Sequence, residues 1–78
     1  MRLDLFLKKT SLIKRRAVAK EIVERGMVTI NSKVAKPSSD VRDSDIIVLT
    51  LGPKIVKAKA IITIKKEKEV PDYEMVRE

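Results

Sequence analysis

The sequence predicts an α+β fold in which two short helices pack on a small, mostly antiparallel sheet. Two observations lead to this prediction: apolar residues recur at helical spacing before Gly26, and after Gly26 the apolar period changes to two. A third observation is the length, because 78 residues with 44% hydrophobic side chains build only one core. We therefore expect one domain over residues 1–64, followed by a tail over residues 65–78.

The first helix is predicted at the start of the chain. Leu3, Phe6 and Leu7 lie at helical spacing and form an apolar stripe. Asp4 and Lys8 stand four residues apart with opposite charges, and such a pair stabilises a short helix. The pattern therefore predicts one short helix that buries its apolar stripe.

A second helix is predicted over residues 14–25, after a connection at residues 9–13. Thr10 and Ser11 are candidate caps for its start, and Gly26 stands where a residue just past a helix takes the left-handed conformation. The predicted apolar arc comprises Val18, Ala19, Ile22 and Val23, and the opposite arc comprises Arg16, Lys20 and Glu24. The helix is thus expected to face the core on one side and solvent on the other.

The residues after Gly26 predict strands. Val28 and Ile30 alternate with polar residues, and Asn31-Ser32 then marks a tight turn into a short return strand. Residues 46–51 are a continuous apolar run of strand length, and residues 56–64 alternate between apolar and other side chains. Together these segments predict a small sheet against which the helices pack.

Residues 65–78 are predicted to be a flexible, charged tail. Pro71, the mixed charges and the lack of apolar periodicity are typical of a segment that does not join a core. The formal net charge of the whole chain is +7, and this tail contributes −1 of it. Residues 1–20 hold seven basic side chains against one acidic side chain, a net charge of +6. The positive charge is therefore concentrated at the predicted helices.

Composition excludes several classes of function. The chain has no Cys and no His, so thiol nucleophiles, disulfides, imidazole bases and the usual zinc ligands are absent. We therefore expect no catalytic residue, no metal site and no cofactor. The high positive charge favours a polyanionic partner such as nucleic acid. A membrane-surface anchor needs a long amphipathic helix with a broad apolar face, whereas the predicted helix over residues 14–25 uses its apolar arc for the core. The N-terminal sequence lacks the form of a signal peptide, so we expect a cytoplasmic location.

The basic segment Lys14-Arg15-Arg16, followed one turn later by Lys20, is the candidate binding site. Arginine offers bidentate hydrogen bonds to a phosphate and lysine offers a point charge, so this helix face suits a nucleic-acid backbone. The alternative is a solvated helix face with no ligand, since charge runs usually have that role. The concentration of charge at the N-terminus favours the binding interpretation.

The order of these segments resembles a known family. The segments that carry the resemblance are Arg2-Leu3-Asp4-Leu5-Phe6-Leu7, Arg16 with Ala19 and Ile22-Val23, Gly26-Met27-Val28-Thr29-Ile30-Asn31, Ala35-Lys36-Pro37-Ser38-Ser39 and Asp45-Ile46. In this order and spacing they resemble the RNA-binding domain first described in ribosomal protein S4, whose helix–helix–hairpin unit is called the αL motif. Among small chains with this domain, the sequence is similar to the RqcP ribosome-quality-control family. It is also similar to a small heat-shock protein that binds stalled large ribosomal subunits.

The resemblance implies a function in ribosome-associated quality control. Such proteins bind the large ribosomal subunit that still holds a peptidyl-tRNA, and they support a partner that adds a C-terminal tail to the stalled chain. We therefore expect contacts with ribosomal RNA and tRNA, no membrane partner, and a monomer. The residues expected to contact RNA are Arg2, Asp4, Lys8, Lys14, Arg15, Arg16 and Lys20, with Lys33 and Lys36 as second-rank candidates. Many family members have Gly where this chain has Ser32 and Ser44, which concerns turn geometry more than the basic face.

Two alternatives stay open at the level of sequence. Asp4 is either a helix-start carboxylate that pairs with Lys8, or a group that orients Arg2 or Arg16 toward RNA. The RNA ligand is either the large subunit with peptidyl-tRNA, or that of a general ribosome-assembly or tRNA-binding factor with the same fold. An enzyme is disfavoured, because the carboxylates are spread over turns, helix surfaces and the tail.

Overall fold

The computed structural model of the protein describes residues 1–76. In chain order the elements are α1 (Leu3–Lys9), α2 (Arg16–Glu24), β1 (Val28–Ile30), β2 (Lys33–Val34), β3 (Ile46–Leu51), β4 (Lys54–Lys65) and β5 (Lys68–Met75). The strands form one sheet with the order β2-β1-β3-β4-β5, in which all neighbours are antiparallel. The predicted α+β fold is confirmed. Neither helix in the described part of the chain is long and apolar enough to cross a bilayer.

The core lies between the two helices and one face of the sheet. The apolar stripe of α1, formed by Leu3, Phe6 and Leu7, is fully buried as predicted. Ile47 and Leu49 of β3 both point into this cluster, because residues two apart in a strand lie on the same face of the sheet. The other members of the cluster are Ile13, Ala19, Val23, Val28, Ala35, Val41 and Ala60. Burial of this stripe fixes α1 on the sheet and thereby fixes the polar residues at its start.

Two predicted turns are confirmed by their backbone angles. Gly26, just past α2, has φ of +75°, the conformation expected after a helix. Asn31 and Ser32 have φ of 50° and 71°, as in the two-residue turn that suits the twist of a hairpin. The Asn31 side chain accepts a 2.9 Å hydrogen bond from the Ile46 amide and donates a 3.0 Å bond to Asp45. Asn31 therefore also connects the hairpin to β3.

The start of the second helix differs from the prediction. The helix begins at Arg16, and Arg15 at its N-cap makes no side-chain capping bond. The Thr10 hydroxyl instead donates a 2.7 Å hydrogen bond to the Phe6 carbonyl, so Thr10 stabilises the end of α1. Ser11 has φ of 62° in the connection that follows. The prediction that Thr10 and Ser11 cap α2 was wrong, because both lie too far before the helix start.

The prediction of a flexible tail over residues 65–78 was wrong for most of its length. Lys68–Met75 forms β5, which pairs with β4 from Ala58 to Lys65. Pro71 is tolerated because β5 is the edge strand, where an outward-facing backbone nitrogen needs no hydrogen bond to a neighbouring strand. Tyr73 packs against the core opposite Ala60. Residues 77 and 78 lie outside the described residues.

Candidate nucleic-acid interface

The centre of the candidate site is the carboxylate of Asp4, whose residue is only 2% exposed. The Nε and Nη2 atoms of Arg2 each donate to one of its oxygens at 3.2 Å. The Nε atom of Arg16 lies 3.6 Å from Oδ2, and the Leu5 amide donates to Oδ1 at 2.8 Å. Within residues 1–76 the ion-pair partners of Asp4 are these two arginines and not Lys8. The structure therefore favours the interpretation in which Asp4 orients arginines.

Backbone contacts fix this carboxylate in place. The amides of Leu3 and Asp4 donate to the carbonyls of Ser39 and Pro37, at 2.8 and 3.1 Å. The first-turn N–H groups of α1 thus find carbonyl partners in a loop instead of a side-chain cap. Because both ends of this contact are backbone atoms, the start of α1 and the loop over residues 37–39 hold a fixed relative position.

The second helix brings Arg16 to the same place. Ala19 and Val23 are buried against the core, and this orients the opposite arc of α2 outward. Arg16 and Lys20 lie on that arc one turn apart, and the Arg16 side chain is 52% exposed. Packing of Ala19 and Val23 therefore determines that Arg16 reaches both Asp4 and solvent. Val18, predicted on the same apolar arc, is exposed instead.

Charge is compensated along only one part of α2. Arg25 pairs with Glu21 at 2.8 Å, and the Lys20 ammonium lies 4.0 Å from Glu24, near the end of the helix. Within residues 1–76, by contrast, no carboxylate oxygen lies within 4.0 Å of the charged groups of Lys14 or Arg15. Both of these residues are exposed at the start of the helix. The uncompensated charge is therefore concentrated next to the arginines that Asp4 holds.

The remaining predicted contacts lie at different distances from this centre. Lys36 is adjacent to Pro37, whose carbonyl accepts the bond from the Asp4 amide, so Lys36 borders the cluster. Lys33 begins β2, about three residues of extended chain further away. Lys8 is exposed in the last turn of α1, where it makes no ion pair with Asp4. The structure thus brings together Arg2, Asp4 and Arg16, with Lys36 beside them, and places Lys8 and Lys33 at the periphery.

Sequence reasoning missed an ion-pair network at the N-terminus. The Met1 ammonium donates to Asp40 Oδ1 at 2.7 Å and lies 3.4 Å from Glu69 Oε2. Its hydrogen bond, together with a second from Arg42, lowers the pKa of Asp40, and the same bond to Asp40 raises the pKa of the Met1 ammonium. The contacts span 39 and 68 residues of sequence, so no local pattern indicates them. This network fixes the residue that precedes Arg2.

The fold and this cluster define a class of protein, a small α+β domain that presents fixed arginines from a helical surface. Comparison with known families agrees, because the family model for the S4 domain matches residues 1–47. A solved structure of heat shock protein 15 from Vibrio cholerae, described as trimeric, superposes with a TM-score of 0.78 at 26% identity. The match covers 97% of this chain and 81% of that protein.

Curated relatives carry one name. The RQC P-site tRNA stabilizing factor of Listeria monocytogenes is 44% identical over 100% of this chain and 88% of that protein. The protein of the same name from Bacillus subtilis is 42% identical over 100% of this chain and 94% of that protein. The chain therefore belongs to the S4 domain family and, within it, to the family of the RQC P-site tRNA stabilizing factors.

Proposed function

We propose that this protein is a non-catalytic RNA-binding factor of ribosome-associated quality control, acting in the cytoplasm on the large ribosomal subunit that carries a P-site peptidyl-tRNA. The observation that carries the proposal is the buried Asp4 carboxylate that fixes Arg2 and Arg16 at one surface. The shared name of the relatives supports the choice of RNA. The concentration of positive charge in residues 1–20 supports a polyanionic ligand.

The geometry suits phosphate recognition. A guanidinium has five N–H donors, and Asp4 takes only two from Arg2, so the other donors stay available for a ligand. A side chain that is already held in one orientation loses less conformational freedom when it binds. Further positive charge would surround the two arginines: ammonium groups from Lys14, Lys20 and Lys36, and a further bidentate donor, the guanidinium of Arg15. Recognition would then depend on phosphate position and RNA shape more than on base identity.

The finer part of the proposal concerns the stalled nascent chain. A factor that contacts both ribosomal RNA and tRNA holds the tRNA in one orientation over repeated rounds of reaction. The reaction would be accelerated by positioning of the tRNA, because the residues of the cluster do not take part in bond formation or cleavage. The protein would in this way support the partner that adds a C-terminal tail to the stalled chain, and it would act as a monomer.

Sedimentation with a matched pair of variants tests the proposal. Arg16→Ala removes a charge that Asp4 orients, whereas Arg25→Ala removes the same charge from the other end of α2, where Glu21 compensates it. On a sucrose gradient of cell lysate, wild type and Arg25→Ala should sediment with free large subunits that carry peptidyl-tRNA, and Arg16→Ala should not. Cells that lack the protein should also lose C-terminal tails on a stalled reporter.

Two outcomes would favour other functions. Sedimentation with immature large subunits, with tailing unchanged in the deletion strain, would indicate the ribosome-assembly alternative. Equal sedimentation of the Arg16→Ala and Arg25→Ala variants would show that the Asp4 cluster is not the binding surface.

A further inference from the structure

The end of the sheet extends into a two-stranded arm. β3 pairs with β4 only from Lys54 to Lys59, whereas β5 pairs with β4 as far as Lys65. Residues 60–73 therefore continue beyond β3 as a hairpin. Its tip is the turn Lys66-Glu67, whose φ angles of 49° and 63° are those of a tight two-residue turn.

The tip of this arm carries an uncompensated charge cluster, Lys65, Lys66 and Lys68. Lys65 and Lys68 are direct cross-strand partners, which places two like charges on one face at the distance of a single side-chain pair. Within the described residues no carboxylate oxygen lies within 4.0 Å of any of the three ammonium groups. Such an arrangement weakens a hairpin unless an anion binds between the lysines.

The acidic residues of the arm do not neutralise this cluster. Glu69 lies opposite Ile64, on the other face of the arm from Lys65 and Lys68, and its carboxylate contacts the Met1 ammonium at 3.4 Å. The remaining acid of the tip is Glu67, in the turn itself. The three exposed lysines thus have one carboxylate between them in sequence, that of Glu67, and it forms no ion pair within residues 1–76.

The arm is held in a fixed position beside the candidate RNA interface. The Ile62 amide donates to Asp43 at 2.9 Å, and the Ser44 amide donates to the Ala60 carbonyl at 2.8 Å, so the base of the arm is attached to the loop before β3. Through Glu69 the arm also contacts Met1, the residue before Arg2. The turn lies about two residues, roughly 7 Å of extended strand, beyond that contact.

We infer that the arm tip is a second phosphate-binding site, at which Lys65, Lys66 and Lys68 contact the backbone of the RNA that the Asp4 cluster holds or of a strand next to it. This inference rests on the proposed function. Lysine suits a phosphate as a mobile point charge, and the tip carries no aromatic side chain that would read a base. Because the arm is fixed to the same N-terminus as Arg2, the polyanion bound there is the anionic partner nearest to the tip.

Salt dependence measures the number of these contacts. The probe is purified large ribosomal subunits with P-site tRNA, titrated with labelled protein at several salt concentrations. The variant K65Q/K66Q/K68Q should reduce the slope of log K against log salt by about 2, with at least a roughly tenfold loss of affinity near physiological salt. Its thermal transition should not fall, because the substitutions remove a like-charge pair.

A control variant removes the same number of positive charges from the other end of β4. K54Q/K57Q/K59Q changes three lysines in the part of β4 that pairs with β3. It should leave the slope close to that of wild type, because salt screens charges that lie further from the RNA than about 8 Å. Equal slopes for the arm variant and wild type would overturn the inference. A fall in the control slope that equals the fall in the arm variant would also overturn it.

A second experiment locates the RNA directly. The chain contains no cysteine, so Glu67→Cys provides a single site for a tethered iron–EDTA group, with Ser38→Cys beside the Asp4 cluster as the positive control. Both variants should cleave RNA of the bound complex. RNA cleavage from position 38 alone would overturn the arm site. The arm site would also be overturned if the tip cross-linked to an acidic protein and the arm variant kept the wild-type salt slope. If wild type itself does not bind the subunits, the proposed function fails instead.

Discussion

The Nε atom of Arg16 lies 3.6 Å from Oδ2 of Asp4, so the first residue of α2 is paired with a carboxylate in the first turn of α1. Asp4 is almost fully buried whereas the Arg16 side chain is half exposed, and the ion pair therefore connects the core to the surface. The same carboxylate also binds Arg2. One buried group thus orients two arginines that come from different elements.

Asp4 and Arg16 should be energetically coupled. In a double-mutant cycle with Asp4→Ala, Arg16→Ala and the double variant, the coupling free energy of unfolding should be about 0.5–1 kcal/mol, because Arg16 is partly screened by solvent. Denaturant unfolding of the four proteins measures it. The same cycle with Arg25→Ala, whose partner is Glu21, serves as the control and should give no coupling. Additive losses in the Asp4–Arg16 cycle would contradict the pairing.

Ser32 and Ser44 should each be improved by glycine. Their φ angles are 71° and 72°, a conformation that costs a residue with a Cβ atom more than it costs glycine. Ser32→Gly and Ser44→Gly are each expected to raise the free energy of unfolding by about 0.5–1 kcal/mol. Ser38→Gly is the matched control, since Ser38 does not have a positive φ, and it should be neutral or destabilising. A lower melting temperature for both turn variants would refute the strain argument.

Tyr73 tests whether β5 belongs to the folded domain. Its side chain packs against the core opposite Ala60. Tyr73→Ala should lower the free energy of unfolding by about 1–3 kcal/mol, as expected for a large-to-small change at a partly buried site. Glu74→Ala, at the exposed neighbouring position, should have little effect. If both variants have the melting temperature of wild type, residues 68–75 behave as the tail that the sequence predicted.

Whether an element could be predicted from the sequence depends on how much of its surface is buried in the structure. The helices and β1 were predictable because each buries one face, which leaves a period in the sequence. β2 is exposed and was predicted from the Asn31-Ser32 turn, whereas β3 was predicted from a continuous apolar run of strand length. β5 was not predicted because it is the edge of a two-stranded arm, so most of its side chains are exposed on both faces and no alternation is required. Pro71, Tyr73 and Met75 recur with period two and pair with Ile62, Ala60 and Ala58, so this alternation was the available signal of a returning strand.

The sequence singled out the residues of the candidate site and left two alternatives open for the contacts of Asp4. The spacing of Asp4 and Lys8 fits an ion pair along the helix, yet the Asp4 side chain is turned into the protein, toward Arg2 and Arg16. That direction depends on how α1 packs against α2, which no local spacing contains. The same holds for Met1 and Asp40, which meet only because the chain start lies along the loop before β3.

The contact between Met1 and Asp40 should make stability depend on pH at both ends of the range. The pKa of Asp40 is lowered in the folded state, so its contribution is present above about pH 4 and is lost as the pH falls further. The pKa of the Met1 ammonium is raised, so its contribution is present below about pH 8 and is lost at higher pH. Both groups thus stabilise the fold between these limits.

Asp40→Asn should flatten this profile. The difference in melting temperature between wild type and Asp40→Asn should be largest near pH 6 and should shrink toward about pH 3 and about pH 10. Thermal melts of both proteins at the three pH values measure this difference. A constant difference across the range would show that the charge of Asp40 is not responsible.

Arginine at position 16 should bind RNA through more than its charge. Because Asp4 lies beside Nε of Arg16, the outer nitrogens of the guanidinium stay available for a phosphate, and one side chain serves both partners. A lysine has a single ammonium and cannot hold both with the same geometry. Arg16→Lys should therefore keep the wild-type salt slope for large subunits with P-site tRNA but bind roughly threefold to tenfold more weakly near physiological salt. Arg16→Gln should in addition lower the slope by about 0.7–0.9. Wild-type affinity for Arg16→Lys would show that a point charge is sufficient there, and that orientation by Asp4 contributes nothing to binding.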